Sequence, residues 1–494
     1  MALVTIVGAA LRLDVATQDY FSDELSSFWI ISKHGLGDVV GTVHSDAEIS
    51  PPLSFVVGWL FGKISLAPVV VRLPSLIAGT ATIPLVYLVG IRTVGRGAAA
   101  VAAAVTALAP FMIYYSAEAR GYALMMAFVT LSTLAMLVAV DGGRRRWWVV
   151  YALASCAAVY THYSCVMVLA AQFAWLVWAH PAARRPALVA NVAAAVLYLP
   201  WITGFVADLH SPTTQILEAL QPFDGYHARL ALTHWSIGYP YSAVAPLRQV
   251  PGDVGLVLLV LSVLVVVGGV VAARRSGASR RDARSLDRRI VLPFMLALGT
   301  PVGGALAAVL GSTTLFGTRN FAPSWPGLAL AGGAALALAA RRARLGAAAL
   351  AVAAFALGGF QLLGDRYARP DYGGAAAYVD GAAGPRDVVL DESAVRSPGP
   401  LSHLDPPLER PHPIVRMRQP QERDHPFGVN DPVVQPVDAA QRAVAIAGGA
   451  SIFVVSETGR LGALPRLAGY RVTARRDFPG FVDVVVLRYE RRAS

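Results

Sequence analysis

The chain has 494 residues, of which 55% are hydrophobic and only 15% charged, with a formal net charge of +11. This composition and a mean hydropathy of +0.53 exclude an ordinary set of soluble domains and predict a polytopic α-helical membrane protein. The positive charge does not indicate a nucleic-acid partner, because it is concentrated in short loops between apolar segments. Cys156 and Cys165 fall in apolar stretches and form neither a disulfide framework nor a zinc motif.

The first predicted element is a short apolar segment over residues 1–11, which is followed by a polar loop over 17–73. Within this loop, 22–36 and 51–64 predict short juxtamembrane helices on the outer side, since a span needs about 20 residues. Ten further apolar runs predict spanning helices, so that the total is about eleven. These runs are 74–91, 97–113, 123–140, 147–160, 164–179, 187–204, 253–273, 290–310, 325–340 and 345–363.

Arginine-rich loops set the predicted orientation. They lie at 92–96, 144–146, 184–185, 274–289 and 341–344. Positive loops stay in the cytoplasm, so residue 1 is expected inside, the loop 17–73 outside, and the C-terminus outside the cytoplasmic membrane.

A change of composition near residue 364 predicts a domain boundary. We expect a transmembrane domain over 1–364 and an extracytoplasmic α/β domain over 365–494. Strands are predicted at 387–390, 452–456, 470–473 and 482–489, a helix at 371–381, and mainly loop over the proline-rich 397–436.

Asp23 and Glu24, two adjacent carboxylates beside an apolar segment, are the first candidate site. Ionisable groups at a membrane are costly and usually functional. A carboxylate near an acceptor hydroxyl can act as general base. The same pair also suits the first turn of a helix opened by Ser22 or Asp23, and either carboxylate fits the role of base.

Further polar residues fall on the same predicted outer side. Arg120 and Arg319 are the best ligands for a lipid phosphate, with His162 and Lys63 next. Glu118 is expected to orient substrate or to pair with an arginine. Additional orienting or acceptor contacts are expected from Tyr115, Tyr122, His44 and Asp46. Each residue alone also suits a structural role, such as a loop ion pair or a snorkelling arginine; their common side favours function.

Five motifs occur in an order that resembles a known family. They are Phe21-Ser22-Asp23-Glu24, Pro51-Pro52-Leu53, Arg72-Leu73-Pro74-Ser75, Tyr115-Ser116-Ala117-Glu118-Ala119-Arg120-Gly121-Tyr122 and Tyr160-Thr161-His162-Tyr163. The chain is similar to GT-C glycosyltransferases of the protein O-mannosyltransferase and aminoarabinose-transferase type. One departure is Ala117, where the family often has glutamine.

The resemblance implies a GT-C fold and sugar transfer from a polyprenyl-phosphate donor outside the cytoplasmic membrane. It implies that an acidic residue of the first outer loop is the base, which corresponds to Asp23 with Glu24 beside it. By position, Arg120, His162 and Arg319 match the basic residues that hold the donor phosphate. No cofactor and no metal are expected.

The predicted chemistry is a single displacement that inverts the anomeric centre, with the arginines stabilising the leaving phosphate. The acceptor is left open between a cell-wall polysaccharide, a glycolipid and a protein. Two other classes remain alternatives: a lipid-phosphate transporter or flippase, and a non-catalytic cell-envelope assembly protein. Polar residues at loop ends and the lack of a two-fold repeat favour the enzyme.

Overall fold

The computed structural model describes residues 1–45, 48–142, 144–211, 222–238, 250–275, 288–311, 315–396, 400–416, 436–463 and 466–492. The chain divides into two compact units. The first comprises Met1–Ala16 and His34–Leu363, and the second comprises Thr17–Lys33 and Gly364–Ser494. The two units are divided in the sequence between Leu363 and Gly364. The structure differs in grouping Thr17–Lys33 with the C-terminal segment, because that stretch makes buried polar contacts there.

The first unit is helical. Its described helices are α1 (Ala2–Ala16), α3 (Leu36–His44), α4 (Leu53–Gly62), α5 (Pro68–Thr93), α6 (Arg96–Leu108), α7 (Pro110–Ser116), α8 (Tyr122–Val140), α9 (Arg146–Val159), α10 (Cys165–Ala179), α11 (Arg184–Tyr198), α12 (Ile202–Leu209), α13 (Gly225–Ser236), α14 (Gly252–Arg275), α15 (Val291–Leu310), α16 (Trp325–Leu338) and α17 (Arg341–Gln361). The helix α2 (Asp23–Ile31) belongs to the second unit.

Among the described residues, seven helical stretches are long and apolar enough to cross a membrane. They are α5, α8, α11 continued into α12, α14, α15, α16 with the 3₁₀ turn before it, and α17. The pair α6 and α7 adds an eighth if it counts as one span, bent by 57° where Ala109 precedes Pro110. The protein is therefore a polytopic helical membrane protein, as its composition predicts.

Helix α1 continues beyond the predicted segment 1–11, because Arg12 has partners inside the unit. The Arg12 guanidinium is fully buried. It donates to the carbonyls of Gly8 at 2.8 Å, Ala107 at 2.9 Å and Thr106 at 2.9 Å. The last two belong to the final turn of α6, so Arg12 satisfies carbonyls that a helix end leaves without an intrahelical donor.

The second unit contains a five-stranded sheet in the order β4-β1-β5-β7-β6 and a separate hairpin of β2 and β3. The strands are β1 (Val388–Asp391), β2 (Ala394–Arg396), β3 (Pro400–Ser402), β4 (Ile414–Arg416), β5 (Ile452–Glu457), β6 (Tyr470–Phe478) and β7 (Val484–Arg491). β1 pairs in parallel with β4 and β5, whereas β7 is antiparallel to β5 and β6.

Two helices, α18 (Tyr372–Ala382) and α19 (Pro436–Ala447), pack on this sheet. Side chains alternate along a strand. Val388 therefore belongs to the same hydrophobic cluster as Ala440 of α19, whereas Val389 belongs to the cluster that contains Ala376 of α18. Strands β1, β5, β6 and β7 and helix α18 lie at the positions of the four predicted strands and of the helix predicted at 371–381. Of the predicted loop at 397–436, the described part contains β3 and β4, and 397–399 and 417–435 lie outside the described residues.

Candidate active site

Arg120 lies in the turn between α7 and α8 and forms a buried ion pair with Glu48. Its Nη1 is 2.5 Å from Glu48 Oε2 and its Nη2 is 3.1 Å from Oε1. The two side chains are 9% and 10% exposed, and the guanidinium lies 5.7 Å from the centre of the Phe55 ring. Two parallel bonds fix both the position and the plane of the guanidinium.

The backbone around Arg120 is held by close contacts with two neighbouring elements. The Ser75 hydroxyl of α5 donates to the Arg120 carbonyl at 3.2 Å. A Cβ at Gly121 would lie 2.9 Å from the Thr161 carbonyl oxygen, so only glycine allows this approach. This approach brings the Arg120 turn against the turn between α9 and α10, which carries His162.

His162 is a neutral hydrogen-bonding group in this position. Its Nδ1 accepts from the Ser164 N–H at 3.3 Å, so the ring proton is on Nε2. The ring lies 5.5 Å from Tyr122, tilted by 40°. Burial, followed by the charges of Arg120 and Arg319, lowers the pKa of His162 to about 3. His162 therefore supplies an N–H donor at neutral pH and no positive charge.

Tyr115 lies next to three other predicted residues of the first unit, Tyr122, Glu118 and Arg319. Its side chain is buried, and its ring lies 4.8 Å from Tyr122. Glu118 and Arg319 are both electrostatic neighbours of its hydroxyl. Within the described ranges that hydroxyl has no hydrogen-bond partner. An unpartnered buried hydroxyl costs free energy unless something else uses it.

The structure thus brings six predicted residues of the first unit into one neighbourhood, which we call the polar cluster. Its members are Tyr115, Glu118, Arg120, Tyr122, His162 and Arg319, together with Glu48, which fixes Arg120. Arg319 comes from the 3₁₀ turn Thr318–Ser324 just before α16. The cluster combines two guanidinium groups, two phenols, a neutral imidazole and two carboxylates.

Three other predicted residues of the first unit are placed differently. The Lys63 ammonium donates to the His34 carbonyl at 2.9 Å and lies 4.8 Å from the Trp59 ring. His44 Nε2 lies 3.4 Å from the Thr203 hydroxyl, and the imidazole meets Trp201 edge-on. These contacts do not join either residue to the polar cluster. Asp46 lies outside the described residues.

Asp23 and Glu24 belong to the second unit, where their environments differ. Glu24 is fully buried, and its Oε2 lies 2.5 Å from Nη1 of Arg369, which is 3% exposed. Asp23 is the first residue of α2 and stays partly exposed. Ser22 is the N-cap residue but makes no side-chain cap hydrogen bond, and Asp23 and Glu24 both lie in the first turn of α2, as the helix-start alternative expects. A buried carboxylate in an ion pair is a poor proton acceptor.

The partners of these residues are not predictable from the sequence. Glu48 is visible as one acid of the first outer loop, but its pairing with Arg120 spans 72 positions. Arg369 is 345 positions from Glu24 in the sequence, and no local sequence pattern predicts their contact. Among the described residues, no group of three or more His, Cys, Asp or Glu side chains could hold a metal ion.

Comparison with known proteins gives matches at two levels. Residues 50–203 match the family model of dolichyl-phosphate-mannose-protein mannosyltransferases. No match was found among curated proteins.

Two solved structures align with the fold of this chain. The crystal structure of ArnT from Cupriavidus metallidurans bound to undecaprenyl phosphate aligns with a TM-score of 0.55 and 15% identity. The alignment covers 98% of this chain and 97% of that one. The archaeal oligosaccharyltransferase AglB from Archaeoglobus fulgidus, in complex with an inhibitory peptide and a dolichol-phosphate, aligns at 13% identity with a TM-score of 0.45. That alignment covers 77% of this chain and 58% of that one.

The matched family range contains Arg120 and His162, and the ArnT alignment extends over nearly the whole chain. The predicted resemblance is thereby confirmed by the family model for residues 50–203, and for the rest of the chain the ArnT alignment shows the fold alone.

Proposed function

We propose that this protein is a membrane glycosyltransferase that moves a sugar from a polyprenyl-phosphate donor to an acceptor hydroxyl on the outer face of the cytoplasmic membrane. The observation that carries the proposal is the ArnT-like fold over 98% of the chain. The polar cluster supports it, because two arginines in a partly buried site suit an anionic phosphate.

Within the polar cluster, Arg319 and Arg120 would bind the donor phosphate. The bidentate contact with Glu48 sets the plane of the Arg120 guanidinium, which carries five donors. His162 would donate from Nε2 to a phosphate or sugar oxygen. Tyr115 and Tyr122 would contact the substrate with their hydroxyl groups, and Glu118 would orient it.

Asp23 would be the general base. The acceptor hydroxyl transfers its proton to the Asp23 carboxylate while its oxygen forms a bond to the anomeric carbon. The bond from that carbon to the phosphate oxygen breaks, and the polyprenyl phosphate leaves as an anion stabilised by the arginines. A single displacement inverts the configuration. Glu24, buried against Arg369, is assigned to structure.

The proposed topology keeps eleven spans. The seven long helical stretches and the bent pair account for eight. The three shorter helices α1, α9 and α10 complete the set, of 15, 14 and 15 residues. The arginine-rich loops then face the cytoplasm, and the second unit lies outside. Acceptors compatible with this topology are a cell-wall polysaccharide, a glycolipid or a protein.

The decisive experiment is transfer by the purified protein in lipid nanodiscs. The labelled donors are polyprenyl phosphates that carry mannose, glucose, arabinose or aminoarabinose. Wild type is compared with Asp23→Asn and with Asp38→Asn as matched control; Asp38 is an exposed acid of α3 whose hydrogen bond from the Gly35 N–H an asparagine can keep. We expect a loss of at least about 100-fold in kcat for Asp23→Asn only.

Equal turnover by wild type and Asp23→Asn would remove the base assignment. A protein that moves labelled lipid between leaflets without cleaving the sugar–phosphate bond would instead be a flippase. Binding of lipid without either reaction would favour the non-catalytic assembly protein.

A further inference from the structure

The turn that carries Asp23 has an unfavourable backbone conformation. Glu24 N–H donates to the Phe21 carbonyl at 3.2 Å, so Phe21–Glu24 is a tight turn. Ser22, inside this turn, has φ 54° and ψ −122°. In the described part of the chain it is the one non-glycine residue with positive φ. Such a conformation persists only where the surroundings impose it, and it is found at functional sites.

The surroundings of this turn come from the C-terminal segment of the same unit. Arg369 holds Glu24 through the buried ion pair. Glu24 Oε2 also accepts from the Phe21 N–H at 3.3 Å. His403 Nε2 accepts from the Ser22 N–H at 3.4 Å. One ion pair and two hydrogen bonds therefore hold the backbone on either side of Ser22, whose dihedral angles are strained.

The Phe21 ring is fixed as well. It stacks on His403 with ring centroids 5.3 Å apart, and it meets Phe481 edge-on at 4.9 Å. Tyr372 stacks on His403 at 4.4 Å. The imidazole is thus held between two aromatic rings, which restricts the direction of its Nε2 lone pair.

The protonation pattern of His403 agrees with an acceptor role. Its Nδ1 lies 2.8 Å from the Ser393 carbonyl, so Nδ1 carries the proton and donates. In that tautomer Nε2 has a lone pair, which is what the Ser22 N–H requires. The imidazole is neutral as it holds the turn.

A second attachment lies just before the turn in the chain. The Asp19 carboxylate accepts from the Gly373 N–H of α18 at 2.6 Å. Gln18 Oε1 accepts from the Arg369 N–H at 3.0 Å. Arg369 is consequently bound through its backbone as well as its side chain, and the segment 17–24 has little freedom relative to α18.

We propose that Arg369 and His403 are positioning residues: they hold the Phe21–Glu24 turn in its strained form and so aim the Asp23 carboxylate at the acceptor. This inference rests on the proposed function of Asp23. It assigns to the C-terminal unit a direct part in turnover, through the geometry of the base. Neither residue needs to touch the substrate.

The test uses the full-length protein in nanodiscs. His403→Phe keeps the aromatic stack and removes the acceptor of the Ser22 N–H. The double variant Glu24→Gln/Arg369→Gln removes both charges together, so that neither is left buried without its partner. For each we expect kcat to fall by about 10- to 100-fold, as misplacement by about 1 Å does, with donor KM changed less than about threefold.

Rescue separates positioning from general destabilisation. Glycine adopts positive φ without strain. We expect Ser22→Gly added to His403→Phe to restore kcat to within about threefold of wild type. Unchanged kcat in both His403→Phe and Glu24→Gln/Arg369→Gln, or failure of Ser22→Gly to restore any of the loss, would overturn the inference.

A readout that needs no activity separates this inference from the proposed function. Hydrogen–deuterium exchange of peptides covering 17–31 should rise in His403→Phe and return toward wild type with Ser22→Gly. If Asp23→Asn keeps full turnover while this exchange pattern holds, Asp23 is not the base, but His403 still holds the Phe21–Glu24 turn. If exchange in 17–31 does not change in His403→Phe, His403 does not hold the Phe21–Glu24 turn and the inference is refuted.

Discussion

The Glu48→Gln substitution tests whether Glu48 fixes Arg120 in the polar cluster. Glutamine keeps the size of the side chain and one acceptor oxygen, but it removes the negative charge that faces the guanidinium. In the structure both carboxylate oxygens are used, at 2.5 and 3.1 Å, and both side chains are about nine-tenths buried.

The expected magnitude follows from that burial. Removing one partner of a buried ion pair costs about 3–5 kcal/mol, because the other charge stays buried without compensation. The remaining amide oxygen still accepts one hydrogen bond, which recovers about 1 kcal/mol. We therefore expect a loss of about 2–4 kcal/mol in the free energy of unfolding of the first unit.

The assay is thermal unfolding of wild type and variants in the same nanodiscs, followed by donor KM. The matched control is Asp141→Asn, which breaks the ion pair of Asp141, 32% exposed, with Arg289, 26% exposed. A pair so near solvent is worth at most about 1 kcal/mol. If Glu48→Gln destabilises no more than Asp141→Asn, the ion pair does not hold Arg120, and the argument from burial is refuted.

Three more predictions follow from named groups. Because the folded pKa of His162 is about 3, below the ordinary 6.5, stability should fall as pH drops below 6.5, by up to about 2 kcal/mol at pH 5, and His162→Gln should abolish that loss in thermal melts. Tyr115→Phe should raise the unfolding free energy by about 1–3 kcal/mol, since it removes a buried hydroxyl that has no partner among the described residues, but it should lower the transfer rate; an unchanged rate would exclude contact with substrate. Burial raises the pKa of Asp380, but the N–H of Glu409 and the His412 ring outweigh it, so the net pKa lies below 3.8. The stability that this carboxylate adds is therefore present above pH 3.8 and is lost on acidification, and Asp380→Asn should lower the melting temperature at pH 7 more than at pH 3; equal effects at both pH values would contradict this.

The sequence by itself determined most of the long helices and four of the described strands. Apolar runs long enough to cross a membrane predict spans, and the structure has α5 at Pro68–Thr93 and α8 at Tyr122–Val140 where such runs occur. Short runs rich in β-branched residues predict strands, and β5 and β7 lie at two of these runs. These features depend on local periodicity, which a single sequence displays directly. The order of short motifs also indicated the family, since motif residues are read without coordinates.

Only the tertiary structure decided what the charged residues do. The partner of Arg120 is Glu48 and that of Glu24 is Arg369, over separations of 72 and 345 positions. Asp23 and Glu24 are adjacent in the sequence, yet Asp23 is partly exposed and Glu24 is fully buried. His162 loses its charge because burial and two arginines disfavour the imidazolium. Pairing, burial and field arise from chain segments that meet in space, so residue spacing along the chain does not encode them.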